Sequence, residues 1–138
     1  MLRHAYFSDF STGPKYLFWG DAEDMSRLME AFAAASNGAP KRSLSDIPDS
    51  LSVDGSAVII ETVPRDIGLW RDERDPNLYH WQVDGETWLM FADLVEPLTR
   101  CSPRRPGHQY LDCLGDNEIT VMVSCGEFSE NLKPRRAA

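Results

Sequence analysis

His108 and Ser124 are the two side chains whose types and spacing come nearest to a reacting pair. They sit in two strand-like runs, His108 to Leu114 and Glu118 to Cys125, with Gly115-Asp116-Asn117 between them. A three-residue loop is a common hairpin connection. With it, Leu114 pairs with Glu118, and Leu111, Cys113, Ile119, Val121 and Val123 collect on one face with Gln109. A two-residue loop would set Cys113 against Thr120 and mix the faces, so hydrophobic sorting selects the longer one. His108 then faces Ser124, Tyr110 faces Met122 and Asp112 faces Thr120 on the polar side. Opposed Cβ atoms lie about 5 Å apart, and a base beside a hydroxyl is the beginning of a nucleophilic site. Asp112, however, is four residues along, roughly 13 Å from His108 at the rise of a strand, too far to orient the imidazole. No Gly-x-Ser-x-Gly elbow surrounds Ser124. The primary reading of these residues is a solvated strand face. The secondary one is a small-molecule enzyme or ligand-binding protein with a pocket at this face, lined by His108, Ser124, Asp112 and Tyr110.

The other chemistry-bearing residues narrow the classes further. His80 has apolar neighbours and no His or Cys partner at ligand-like spacing, so it reads as a hydrogen-bonded packing residue and not as a metal ligand. Gly20-Asp21 opens a helix, and helix N-termini attract anions. Asp21, Glu23 and Asp24 would repel a phosphate there, and neither glycine-rich nucleotide motif occurs. Asp9, Asp21, Asp24 and Glu61 read as solvated surface acids. Arg100, Arg104, Arg105, Arg135 and Arg136 lack interleaved aromatics, so nucleic acid is not an expected partner. No cofactor and no metal are expected.

Aromatic residues supply the strongest surface signal. Leu78 to Val83 and Glu86 to Phe91 flank Asp84-Gly85, a pair suited to a two-residue type I′ turn. A hairpin there sets Trp81 against Trp88 and Tyr79 against Met90. Tyr79, Trp81, Trp88 and Met90 thus form an expected binding face, since tryptophan and tyrosine are enriched at interface hot spots. A second copy of the chain is the alternative occupant, giving a homodimer.

These residues need elements to hold them. Tyrosine, phenylalanine and β-branched runs at 5–10, 16–19, 57–60 and 67–70 predict strands, with 57–60 central in the sheet. Asp21 caps a helix over 22–36, where Met25, Leu28, Met29, Phe32 and Ala35 make one apolar stripe. Asp93 is expected to cap a second helix through about Arg100. Residues 39–55 read as a connection pinned by Leu44, Ile47 and Leu51. The expected fold is one α+β domain over 1–132, a mixed, mostly antiparallel sheet of five to seven strands with two helices on one face. Residues 133–138 read as a flexible tail.

Composition sets the outer bounds. The chain has 138 residues, 42% hydrophobic and 10% aromatic, enough for one self-sufficient core. Its net charge is −8, and residues 1–99 alone hold 8 Lys and Arg against 17 Asp and Glu. That field opposes phosphate backbones and favours a basic protein partner. Three cysteines without a Cys-x-x-Cys, and no apolar run long enough to span a bilayer, predict free thiols in a reducing cytoplasm and no membrane association. Together these features describe a small non-enzymatic interaction protein, of the immunity, antitoxin or regulatory-adaptor kind.

Overall fold

A computed structural model describes residues 1–111 and 119–135. Among them are nine strands and two helices in the order β1 Leu2–Phe7, β2 Lys15–Gly20, α1 Ala22–Ser36, β3 Arg42–Ser43, β4 Ser50–Ser52, β5 Ala57–Thr62, β6 Gly68–Arg71, β7 Leu78–Val83, α2 Gly85–Val95, β8 Gly107–Leu111 and β9 Thr120–Cys125. The class is α+β with mixed, mostly antiparallel pairing. The strands divide between two sheets, ordered β4-β1-β2-β9-β8 and β3-β5-β7-β6. Two short strands inside 39–55, β3 and β4, each form one edge of a sheet.

One core joins both sheets to both helices. Tyr16 and Phe18 of β2, Val121 and Val123 of β9, Val58 and Ile60 of β5, and Tyr79, Trp81 and Val83 of β7 meet Met25, Leu28 and Phe32 of α1 and Trp88, Phe91 and Val95 of α2. The 57–60 run is central, between β3 and β7. Val58 and Ile60 are buried while Ile59 points to the half-exposed face. A smaller cluster backs the first sheet, where Phe7, Leu17, Trp19 and Met122 are covered by Phe10, Val53, Phe128 and Leu132. The Trp19 indole donates to the Ser129 carbonyl at 3.1 Å, tying the segment after β9 to that face.

The first helix follows its sequence closely. Asp21 accepts from the Asp24 amide and Asp24 accepts from the Asp21 amide, each at 2.9 Å, a reciprocal capping box. Gly20 makes this geometry possible, because a Cβ there would lie 2.3 Å from Asp24 Oδ2.

The second helix overturns the expected Asp84-Gly85 hairpin. Asp84 is its N-cap, accepting from the Thr87 amide at 2.8 Å, and residues 86–91 are helical. Asp-Gly satisfies a helix start as well as a tight turn. What decides is the spacing of Trp88, Phe91, Ala92 and Val95, which bury one helical face and would alternate wrongly in a strand. β7 instead pairs in parallel with β5 and antiparallel with β6. Asp93 is therefore mid-helix, and the 3-10 turn Glu96–Arg100 continues the element.

Two further expectations are corrected. Leu51 is exposed, whereas Leu44 and Ile47 are buried as pins. Cys101 and Cys125 form a disulfide, with Cα atoms 6.3 Å apart, so these two are not free thiols. Lys133 to Arg135, assigned above to a tail, line a cavity with β1 and β7 residues. Among the described residues, no helix is long and apolar enough to cross a membrane.

Candidate functional site

The second hairpin forms in the expected register: His108 pairs with Ser124, Gln109 with Val123, Tyr110 with Met122 and Leu111 with Val121. Asp112, Cys113 and the Gly115-Asp116-Asn117 loop lie outside the described residues. His108 and Ser124 meet through a third group that the sequence does not flag. Ser124 Oγ donates to Glu127 Oε1 at 2.6 Å, and His108 Nδ1 lies 2.9 Å from the same oxygen. The hydroxyl is buried and directed at a carboxylate, not at the imidazole. Tyr110 is exposed and meets the His108 ring edge-on at 5.4 Å.

The expected aromatic face is core. Trp81 and Trp88 are 1% and 0% exposed, with ring centroids 5.1 Å apart in an edge-to-face pair, and Tyr79 is equally buried. The two tryptophans do meet, but as layers of strand and helix, and they offer no docking surface. His80 is hydrogen-bonded as anticipated, its Nε2 lying 2.9 Å from Asp72 Oδ1, and it stacks under Trp70 at 4.3 Å.

Met90 is the one member of that expected face left at the surface, and α2 explains how. Burying Trp88, Phe91, Ala92 and Val95 turns Glu86, Leu89, Met90 and Asp93 outward, again at three- and four-residue spacing. Leu89 is 52% and Met90 43% exposed, with Glu86 and Asp93 to either side along the axis. Among the described residues, neither acid has a cation within ion-pair distance. Glu96, one turn on, is instead paired with Arg100. Beside the stripe a groove of about 500 Å³ runs between Ala33, Ser36 and Asn37 of α1's end and Asp84, Gly85, Glu86 and Leu89. Asp66 steadies the groove by accepting from the Asp84 amide and the Thr87 hydroxyl at 2.9 and 2.8 Å. Acids at this helix start are favoured by its dipole.

A buried polar chain crosses the core. His4 Nδ1 lies 2.8 Å from the Tyr16 hydroxyl, which lies 2.7 Å from Ser56 Oγ, which donates to Asp54 Oδ1 at 2.6 Å. The carboxylate only accepts, so each hydroxyl proton points towards Asp54 and His4 must carry its proton on Nδ1. His4 Nε2 is then a bare lone pair, buried without a partner. Burial lowers the His4 pKa to about 4 and raises that of Tyr16 far above its ordinary value.

Among the described residues, no three His, Cys, Asp or Glu side chains gather as metal ligands. Comparison of the chain with family models, curated proteins and solved structures returns no match.

Proposed function

We propose that this chain is a non-enzymatic protein-interaction module that takes a basic partner on the outer face of α2. The observation that carries the reading is the pair Leu89 and Met90, exposed between Glu86 and Asp93. Large apolar side chains ringed by unpaired acids suit a segment that presents an apolar residue flanked by lysine or arginine. The net charge of −8 steers such a partner from a distance. The groove beside Leu89 gives its apolar side chain a place to enter. Met90 is unbranched and polarisable, a residue type common on adaptable binding surfaces.

The test uses a synthetic helical peptide with one leucine stripe and lysines around it, titrated into isotopically labelled protein. Amide shifts should concentrate on residues 85–97 and on α1's end. Affinity should fall as salt rises. Charge reversal at Glu86 and Asp93 should weaken binding about tenfold or more, and serine at Leu89 and Met90 should abolish it. Shifts centred elsewhere, or unaltered affinity in both variants, would sink the reading. Light scattering supplies the other arm, since a dimer that dissociates on the Leu89 and Met90 substitutions would make a second copy the occupant instead.

A further inference from the structure

A different cavity, of about 460 Å³, opens where β1, the β4–β5 connection, β6 and β7 converge. Its walls carry Tyr6, Asp54, Arg71, Tyr79, Lys133 and Arg135. Arg71 is held with unusual care for an exposed residue. Its Nε and Nη2 donate to the Tyr79 hydroxyl at 3.0 and 2.5 Å. Its guanidinium carbon lies 4.7 Å from the Tyr6 ring centre and 5.2 Å from that of Tyr79. Those rings stack on each other at 5.7 Å. Two tyrosines therefore fix the plane and direction of the guanidinium. Among the described residues, no carboxylate lies within ion-pair distance of Arg71 or Lys133, and Nη1 has no partner. Arg71 stays firmly charged, held so first by its bond to Tyr79.

The carboxylates nearby do not fill this role. Asp54 accepts from the Tyr6 amide on Oδ2 at 3.0 Å and from the Ser56 amide at 3.1 Å and the Ser56 hydroxyl on Oδ1, so one oxygen is engaged by β1 and the other by its own turn. Asp9 lies 3.7 Å from Arg135. Three cations thus face two carboxylates, a local excess of positive charge on a protein of net charge −8. A concave site focuses such a field.

The geometry points to a small-molecule oxyanion site, taking a phosphate or carboxylate group on the free edge of Arg71 with Lys133 as the second cation. The fork of a guanidinium matches either group, and the cavity falls within the size range of small-ligand sites. The residues are separate from α2, so this site stands whether or not the docking face does.

Inorganic phosphate and citrate are the two probes, titrated separately at constant ionic strength while amide and arginine Nε–H resonances are followed by NMR. The expected result is a saturable shift at Tyr6, Ser56, Arg71 and Lys133 with at least one probe, and the tighter probe names the oxyanion. Arg71→Met should weaken binding about tenfold or more, and Lys133→Gln by a smaller factor. Both positions are exposed, so the variants should keep wild-type spectra elsewhere. No saturable shift with either probe up to about 10 mM, the weak end of specific binding, would overturn the assignment. So would wild-type affinity in Arg71→Met.

Discussion

Lowering the pH from 7.5 to 4.5 should remove a specific part of the stability through His4. The residue is fully buried, its ring 5.5 Å from Phe18 and 6.0 Å from Tyr16. Its Nε2 has no partner, so a proton added there would place an unpaired charge in the core. The folded pKa is about 4, below the ordinary 6.5. Because the folded value is depressed, the unfolded chain binds the extra proton first. The stabilisation is complete above the unfolded pKa and is lost as pH falls from about 6.5 towards 4. The gap corresponds to about 3 kcal/mol when fully expressed, with about 2 to 3 kcal/mol gone by pH 4.5. That is a large share of a stability of about 5–15 kcal/mol. The assay is urea unfolding at several pH values for wild type and His4→Phe. Phenylalanine keeps the ring packing and removes the titration, at the cost of one hydrogen bond to Tyr16, about 1 kcal/mol. His4→Phe should be less stable than wild type at pH 7.5 and lose much less on acidification. Parallel pH profiles for the two proteins would refute the reasoning, as would a His4 resonance titrating near 6.5.

Three further outcomes test the fold and its correction. Trp88→Ala should cost about 3–5 kcal/mol, because it empties a fully buried site, while Met90→Ala should stay within about 0.5 kcal/mol; chemical denaturation separates them, and equal effects would contradict the orientation of α2. Gly85→Ala should change stability by less than about 1 kcal/mol, since Gly85 has no positive φ and a Cβ there meets only the Ser36 carbonyl at 3.4 Å; a larger loss would restore the tight turn. The disulfide closes a separation of 24 residues, so Cys101→Ser with Cys125→Ser should cost about 3 kcal/mol, and reduction should add two alkylatable thiols by mass; an unchanged thiol count would remove the bond.

Where one local signal dominated, sequence and structure agree. The 22–36 helix was legible because Asp21, the apolar stripe and Asn37-Gly38 all mark the same boundaries. The hairpin at β8 and β9 was legible because only one register separates apolar from polar residues. The region around Asp84-Gly85 was not, because two local rules compete there and the dipeptide obeys both. Helical spacing was present in Trp88, Phe91, Ala92 and Val95, and Glu86, Leu89, Met90 and Asp93 are its outward complement. Other features leave no trace along the chain. Arg71 lying over Tyr6 and Cys101 meeting Cys125 depend on pairings and loops that bring distant segments together, and Glu127 reaches Ser124 only because the chain bends back just after β9. The parallel β2–β9 and β5–β7 pairs have no turn to announce them.

The same distinction changes how the acidic composition should be weighed. Residues 1–99 contain eleven aspartates. Seven of them, Asp21, Asp24, Asp54, Asp66, Asp72, Asp75 and Asp84, accept backbone N–H groups at caps or turns. A short carboxylate reaches its own backbone easily, so much of the acidity is turn chemistry. Those groups keep their charge and contribute to the long-range field, while part of each carboxylate's accepting capacity is already used by backbone N–H groups. Net charge therefore predicts rate and salt dependence of encounter better than it predicts a docking site. Glu86 and Asp93 differ because they project from a helix surface beside exposed apolar side chains. Substituting a cap such as Asp72 should change association only through charge, alike at every site of equal distance. Substituting Glu86 or Asp93 should also change the dissociation rate, and that contrast separates a docking face from a merely acidic protein.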